Sequence, residues 1–338
     1  MRNLLLFAAA VRSRRPLAAL LLTCLAVAVG CGGSSNHSSS NAPPKATPAQ
    51  FPSAQGKTLA QLRAKLPRGG VVLAPTGSYF VTDSNRLGFG LFTASRAQIT
   101  NATAALYIAP VGGGPAEGPF PAKYESLAVK APFQSETSAK DPDSAKALYA
   151  AKVPFKKPGR YQVLGMARLN NQLVAATSAA PPVIVVPPER DPVPGVGDAP
   201  PRIHTPTESE VAGDLSKIDT RSPHDDMHKV DFADALGKKP IVLVFATPLL
   251  CQSRVCGPVV DVAAEVENEF RDKADFIHME IYNDNEVAKG FRPQVNAFHL
   301  PSEPWLFVMN RQGKIAARIE GAFSADELRA AVKQGLGS

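Results

Sequence analysis

Two closely spaced cysteines are the residues of this chain that are best suited to do chemistry. Cys251 and Cys256 delimit the segment Cys-Gln-Ser-Arg-Val-Cys, directly after the apolar run 240–246. A strand that leads into a cysteine pair at the start of a helix is the typical arrangement of a thiol–disulfide site. Of the other two cysteines in the sequence, Cys24 lies in an apolar leader and Cys31 lies where a lipid would be attached. The pair is therefore expected to supply the only thiols of the mature protein.

The spacing of the pair indicates different roles for the two sulfurs. Residues five apart on a continuous helix lie about 140° apart, whereas a disulfide needs Cα atoms within about 7 Å, so a closed pair requires an irregular first turn. Pro258 allows the helix to begin nearby. Cys256 shares a helical stripe with apolar residues and is predicted to be buried, while Cys251 lies earlier, in the loop. This favours Cys251 as the attacking thiolate, its pKa lowered by Arg254, and Cys256 as the resolving thiol.

The beginning of the chain is typical of an export signal. Residues 1–16 carry four arginines and no acidic residue, and an uncharged, mostly apolar run extends to Gly30. A basic region, a short apolar region and small residues at a cleavage site define a secretory signal, and the run is too short to span a bilayer comfortably. Ala-Val-Gly before Cys31 resembles the bacterial lipoprotein signal. We therefore expect a lipoprotein signal peptide over 1–30, a lipid on Cys31, and a protein anchored to the cell membrane on its extracytoplasmic side.

The middle of the chain has the pattern of an all-β domain. Residues 31–57 are polar and of low complexity, which predicts a disordered tether. Residues 58–186 contain seven or eight short apolar or alternating runs separated by turn residues, which predicts an antiparallel β-sandwich. Within it, Pro-Gly-Arg-Tyr at 158–161 resembles a segment that is common in immunoglobulin-like modules. The expected fold class is therefore two-domain, with an N-terminal immunoglobulin-like sandwich.

A proline-rich stretch follows the predicted sandwich. Residues 187–230 show no periodicity and are predicted to form a stiff linker. The segment from Pro223 to His228 holds two histidines and two carboxylates, which are donor types that suit a metal. Exposed loop histidines without a function are commoner, so the expectation is a solvated loop.

Residues 231–338 have a regular order of elements. An apolar strand over 240–246 is followed by the cysteine segment, a helix with apolar residues at helical spacing, and a second strand over 275–282. A polar stretch, a hairpin around 310–313 and a final helix capped by Ser324 complete the order β-α-β-α-β-β-α. This order, with a cysteine pair after the first strand and a proline before the hairpin, resembles the thioredoxin fold. The resemblance implies a C-terminal α/β thioredoxin-like domain over 231–338, as in membrane-anchored extracytoplasmic thioredoxin-like proteins.

The same resemblance assigns roles to the segment Glu303-Pro304-Trp305. It matches the place where thioredoxin-like proteins carry a cis-proline opposite the cysteines. A cis peptide bond before Pro304 is implied, with backbone that pairs with a bound substrate strand, so that Glu303, Pro304 and Trp305 are expected to position substrate. No cofactor is implied, only a redox partner. The spacing departs from the family's Cys-x-x-Cys, and because the residues from Cys256 resemble the start of Cys-Gly-Pro-Cys, attack by Cys256 stays an open alternative.

Four functions are compatible with the cysteine pair. The leading one is a thiol–disulfide oxidoreductase acting on exported protein or small-molecule disulfides. The second is a non-catalytic surface lipoprotein whose disulfide is structural and whose sandwich binds a partner. The third is copper delivery, because Sco-type copper chaperones combine a cysteine pair with a later histidine, a place that His299 could fill. The fourth is a peroxidase, since one branch of peroxiredoxins shares the five-residue offset, although Thr247 and Val244 break that family's pattern.

The charge distribution limits the range of partners. The net charge of +7 comes from residues spread along the chain, without a lysine and arginine cluster interleaved with aromatic residues. Nucleic acid is therefore not an expected partner. The expected partners are extracytoplasmic disulfide substrates, a redox partner, and the membrane through the lipid anchor.

Overall fold

The computed structural model describes residues 43–67, 70–178 and 180–337 of the chain. The predicted signal peptide over 1–30, the lipid site at Cys31 and the first part of the predicted tether lie outside these residues. All described residues fall in one compact unit. In that part of the chain, every helix is too short or too polar to cross a membrane.

The first half of the described chain is mainly strand. Its helices are α1 (Leu59–Ala64) and α2 (Glu136–Lys140). Its strands are β1 (Val71–Pro75), β2 (Tyr79–Val81), β3 (Asp83–Thr93), β4 (Thr103–Pro110), β5 (Glu117–Ser126), β6 (Ala147–Phe155), β7 (Gly159–Leu169), β8 (Gln172–Ser178) and β9 (Val183–Val186). Seven of these strands pair in the order β7-β4-β5-β6-β3-β1-β8, and β8 pairs again with β7. The sheet is therefore closed, with β9 and β2 attached outside the ring beside β7.

The predicted immunoglobulin-like sandwich is wrong, because the strands close into a seven-stranded barrel. Closure depends on β1 and β8, which are parallel neighbours while all other adjacent pairs of the ring are antiparallel. Apolar side chains such as Leu73, Phe89, Leu106 and Phe155 are fully buried in the core of this barrel. Alternating strands of this length suit a sandwich and a barrel equally well, and only the pairing of the first and last strands distinguishes them.

Two segments without regular structure pack on the body of the protein. Residues 43–57 fall within the predicted disordered tether, but Phe51 and Ala54 are buried against the barrel, and the Tyr107 hydroxyl donates a hydrogen bond to the Pro52 carbonyl oxygen at 2.7 Å. The proline-rich stretch 187–230 likewise contributes buried apolar side chains to the second core of the protein. Sparse apolar residues in a polar segment give no periodic signal, although each can still fill a place in a core.

The second half of the chain forms a small mixed sheet with helices. Its strands are β10 (Ile241–Phe245), β11 (Asp275–Met279), β12 (Trp305–Met309) and β13 (Ile315–Glu320). Its helices are α3 (Phe232–Ala235), α4 (Cys256–Phe270), α5 (Pro293–Ala297) and α6 (Ala325–Leu336). The strand order is β11-β10-β12-β13, with β10 and β11 parallel and the other pairs antiparallel.

The expected α/β thioredoxin-like domain over 231–338 is also wrong as a fold class, because the face of this sheet that carries α4 shares its core with the barrel. Val259 and Val262 of α4 lie in one buried cluster with Leu127, which follows β5, and with Leu148 of β6. A domain in the usual sense has a separate hydrophobic core. Here the barrel completes the core beneath α4, so the barrel and the small sheet are mutually dependent.

Polar contacts join the barrel to α6 as well. Arg86 of β3 donates from Nε and Nη2 to the two carboxylate oxygens of Glu327, at 2.6 and 2.8 Å, and from Nη2 to the Ala322 carbonyl oxygen at 2.7 Å. At the start of α6, the Ser324 hydroxyl donates to Glu125 of β5 at 2.6 Å while it also caps the helix. These bonds position α6, which packs on α4.

Replacement of Arg86 by methionine is expected to lower the free energy of unfolding by about 2 kcal/mol or more, because it leaves a partly buried carboxylate without its bidentate partner. The control is Lys140→Met, which removes an ion pair whose lysine is 77% and whose glutamate is 59% exposed, and it is expected to cost less than about 1 kcal/mol. Urea unfolding of the three proteins measures both values. Equal losses for the two variants would contradict the role of Arg86 as the connection between barrel and α6.

Candidate functional site

Cys251 and Cys256 form a disulfide across the turn between β10 and α4. Their Cα atoms are 6.0 Å apart. Helix α4 begins at Cys256, and the turn before it contains Arg254 at a φ of 59°. The prediction of an irregular first turn is confirmed, because continuous helix would place positions five apart on different faces.

The two sulfurs differ in their surroundings. Cys256 is 0% exposed and lies in the core with Val259, as predicted, while Cys251 is 5% exposed in the loop. The Sγ of Cys251 lies 3.2 Å from the Ser253 hydroxyl. Arg254 was expected to stabilise a Cys251 thiolate, but its guanidinium forms an ion pair with Asp141 at 3.1 Å instead. The sequence alone gave no reason to place Asp141, which follows α2, beside this turn.

The barrel holds the disulfide turn from one side. The Ala145 amide donates to the Arg254 carbonyl oxygen at 3.0 Å, in addition to the ion pair of Arg254 with Asp141. A Cβ atom at Gly257 would lie 2.8 Å from the Ser138 hydroxyl oxygen of α2. Glycine at this position therefore permits the close approach of α2 to the start of α4.

The carboxyl group of Glu303 lies beside the buried sulfur. Its Oε2 lies 3.6 Å from Cys256 Sγ and accepts a hydrogen bond from the Thr247 amide at 3.2 Å. Burial, reinforced by the charge of Glu280, raises the pKa of Glu303 to about 7. A carboxyl group with this pKa can accept or return a proton near neutral pH. Sequence reasoning placed Glu303 near the substrate through its position before Pro304 but missed its contact with sulfur.

A second buried glutamate supports the loop that leads to the disulfide. Glu280 Oε1 accepts hydrogen bonds from the amide and the hydroxyl of Thr220, at 2.7 and 2.8 Å. The Thr220 oxygen in turn accepts from the Leu249 amide at 3.2 Å. Burial raises the pKa of Glu280. The segment around Thr220, predicted to be linker, therefore fixes the loop two residues before Cys251.

The remaining predicted site residues are only partly brought together. The Glu303–Pro304 peptide bond is cis, which confirms the prediction, and the Pro304 carbonyl oxygen accepts from the Gly321 amide at 2.8 Å. Trp305 was expected to line a cleft, but it is 2% exposed and its indole N–H donates to Ser302 at 3.1 Å. As a member of β12 it belongs to the core, stacked on Phe307.

His299 does not join the cysteines. The donor atoms of Cys251, Cys256 and Glu303 lie within 4.8 Å of one another, and His299 is exposed and outside this group. The ligand set expected for copper delivery is therefore not assembled among the described residues.

A cavity of about 510 Å³ opens beside the disulfide turn. Ser253 and Val255 of the turn and the Glu303 side chain contribute to its lining. The rest of the lining comes mainly from the barrel, from β9 and from the segment before β9, including Pro75, Phe92, Leu148, Pro182 and Ile184. Sequence reasoning missed this cavity, because its walls come from segments that are far apart in the chain.

Comparison with known proteins gives little further information. No protein-family model matches the chain, and no curated protein matches it. Among solved structures, a putative thiol:disulfide interchange protein DsbE from Chlorobium tepidum matches with 15% identity and a TM-score of 0.32, over 43% of this chain and 99% of that chain. A TM-score this low carries no argument about fold or function.

Replacement of Glu303 by glutamine is expected to change how stability depends on pH. The folded pKa of about 7 lies above the ordinary value of 4.5, so the folded state keeps this proton longer than the unfolded state, and stability falls as pH rises through this interval. Urea unfolding of the oxidised protein from pH 4.5 to 7.5 should show a smaller decline for Glu303→Gln. The control is the exposed Glu189→Gln, and a decline of wild-type size in Glu303→Gln would show that Glu303 does not titrate in this range.

Proposed function

We propose that this protein is a membrane-anchored, extracytoplasmic thiol–disulfide oxidoreductase that uses Cys251 and Cys256. The observation that carries the proposal is the pairing of a closed disulfide with the Glu303 carboxyl group, 3.6 Å from one sulfur and with its pKa raised to about 7. Strongly shifted pKa values beside a redox-active group are typical of functional sites. The anchor at Cys31 and the extracytoplasmic location rest on the sequence of the leader.

The proposed reduction of a substrate disulfide has two steps. The Cys251 thiolate attacks one substrate sulfur, the substrate disulfide bond breaks, and the departing substrate thiolate takes a proton from solvent. Cys256 then gives its thiol proton to the Glu303 carboxylate and attacks Cys251, which restores the Cys251–Cys256 disulfide and releases the second substrate thiolate. Glu303 passes this proton to the second substrate thiolate, so the substrate gains two electrons from the two cysteines and two protons, one from solvent and one that came from Cys256. Reversal of the same steps oxidises a substrate dithiol.

The cavity beside the turn supports a substrate site in this proposal. Its lining is largely apolar, and Glu303 extends from the neighbourhood of Cys256 into it. Side chains next to a substrate cysteine could occupy this space while the sulfur reaches Cys251. Pro304 follows Glu303 in the chain and would fix the position of the carboxyl group.

A structural disulfide is the second candidate function, and burial favours it. Both sulfurs belong to the buried core, and even Cys251 is only 5% exposed. Attack on a substrate therefore requires local opening of the turn, whereas a structural disulfide requires none. The exposed Leu249, two residues before Cys251, lies in the part of the loop that would have to move.

The reduction potential of the full chain separates the two functions. An oxidoreductase is expected to have a midpoint between about −120 and −270 mV, whereas a structural disulfide lies below about −300 mV. The measurement equilibrates the protein with glutathione buffers and traps free thiols with a label. A midpoint below that limit would refute turnover and leave the structural disulfide.

The attacking cysteine is expected to be Cys251, because it is the less buried of the two. A chain with Cys256→Ser should therefore react with an aromatic disulfide reagent about tenfold or more faster than one with Cys251→Ser, and it should retain the mixed disulfide. Mass spectrometry identifies the adduct, and stopped-flow absorbance gives the rates. A faster reaction in the Cys251→Ser chain would assign the attack to Cys256 and support the opposite order of steps.

A further inference from the structure

Four ionisable side chains are buried together where the segment 219–228 packs against β11. They are Asp219, Asp225, His228 and His278, and their side chains are between 0 and 3% exposed. The first three lie in the segment that was predicted to be solvated linker, and His278 lies on β11. One donor atom from each of the four lies within 4.8 Å of the others.

His228 has a nitrogen that the protein leaves unsatisfied. Its Nε2 is buried and has no hydrogen-bond partner among the residues that the structure describes. The atom faces two carboxylates, 3.4 Å from Asp225 Oδ1 and 3.7 Å from Asp219 Oδ2. A buried polar atom without a partner is costly, so its orientation toward the two carboxylates indicates a ligand between them.

His278 is oriented as metal-binding histidines usually are. Its Nε2 lies 3.1 Å from the Ala246 carbonyl oxygen, which only accepts, so Nε2 carries a proton. Its Nδ1 faces the cluster, 2.9 Å from Asp225 Oδ2 and 3.7 Å from Asp219 Oδ1. A backbone carbonyl that binds one ring N–H fixes the tautomer and orients the other nitrogen to a metal.

Backbone amides orient the two carboxylates in the same way. Asp219 accepts from the Arg221 amide at 2.7 Å and from the Asp225 amide at 2.9 Å. Asp225 Oδ1 accepts from the Met227 amide at 2.9 Å. The short segment 219–228 therefore wraps around its own carboxylates, which is the outer hydrogen bonding that supports metal ligands.

The charge of the cluster also favours a cation. In the described residues, Asp219 and Asp225 form ion pairs with histidines alone, whereas the nearby Arg221 is paired with Asp261. A divalent cation offsets both buried negative charges without protonation of either buried histidine, and buried charges require such compensation.

We propose that Asp219, Asp225, His228 and His278 form a zinc-binding site. Two imidazole nitrogens and two carboxylate oxygens make a donor set that suits Zn²⁺, whereas Ca²⁺ and Mg²⁺ prefer oxygen ligands alone. Four protein ligands fill a tetrahedral coordination shell, which is typical of structural zinc. The set contains no sulfur, so the bound metal does not compete with the disulfide.

The metal connects the irregular segment to the sheet at a place that supports the disulfide turn. Thr220 is next to Asp219. Its amide donates a hydrogen bond to Glu280, and its hydroxyl oxygen accepts one from the Leu249 amide. Ala246, which accepts from His278, precedes Thr247, whose amide donates to Glu303. Zinc would therefore stabilise the two hydrogen bonds that hold the loop before Cys251, from the Leu249 amide to Thr220 and from the Thr247 amide to Glu303.

The test uses the full chain in its oxidised state, purified without a histidine tag, so that neither thiolates nor a tag bind metal. After treatment with a chelator, isothermal titration with Zn²⁺ should show one site per chain, and Zn²⁺ should raise the melting temperature. Replacement of His228 by glutamine should weaken binding by about a hundredfold or more. The matched control is His224→Gln, since His224 lies 3.6 Å from the same Asp219 but is outside the ligand group, and it should change affinity less than about threefold.

Cobalt substitution tests the geometry without any variant. Co²⁺ bound to the wild-type chain should give the intense visible absorption of tetrahedral coordination, and Zn²⁺ should displace it. A wild-type chain that binds no Zn²⁺, or equal losses in His228→Gln and His224→Gln, would overturn the proposal and leave a buried ion pair between His278 and Asp225. Weak absorption typical of octahedral Co²⁺ would also overturn it. None of these results depends on whether the disulfide turns over.

Discussion

Closure of a disulfide over five residues forces the chain out of helical geometry between β10 and α4, and the surrounding structure has to hold that turn. The Arg254 backbone takes a left-handed conformation, its guanidinium pairs with Asp141, and its carbonyl oxygen accepts from Ala145. On the other side, Thr220 accepts from the Leu249 amide. An irregular turn lacks the repeating hydrogen bonds of a helix, so these contacts supply what the turn cannot make for itself.

The barrel and the small sheet share a core, and both contribute contacts that hold this turn. The barrel contributes α2, the Asp141–Ala145 connection and part of the apolar surface beneath α4. The sheet contributes β10, which leads into the cysteine segment, and β12, which is directly preceded by Glu303 and Pro304. The cavity beside the turn is lined by residues from both halves, because the two halves meet there.

Several carboxyl groups are buried in this half of the protein, and their negative charges are compensated in different ways. Asp261 forms an ion pair with Arg221, whose Nε lies 3.0 Å from Asp261 Oδ1. Glu280 and Glu303 have raised pKa values because burial favours their neutral forms. Asp219 and Asp225 face two histidines instead. Such a concentration of buried polar groups lowers stability unless each is compensated, which is why proteins tend to keep it at sites of function.

Patterns among neighbouring residues were sufficient to predict the local features of the site. The cysteine spacing required an irregular turn, and the apolar stripe of α4 required burial of Cys256. Both follow from residues that are neighbours in the chain, where periodicity is a strong signal. The cis peptide bond before Pro304 was implied by the resemblance to the thioredoxin fold and is present.

The remaining features of the fold and of the site depend on contacts between residues that are far apart in the chain. The barrel closes through the pairing of β1 with β8, which alternation of apolar residues cannot specify. Glu303 reaches Cys256 across 47 positions, and Asp225 reaches His278 across 53. The burial of Trp305 in the core and the ion pair of Arg254 with Asp141 also depend on packing between distant parts of the chain. Contacts between distant residues depend on how elements pack, and a buried polar cluster assembled from them has no signature in the local sequence.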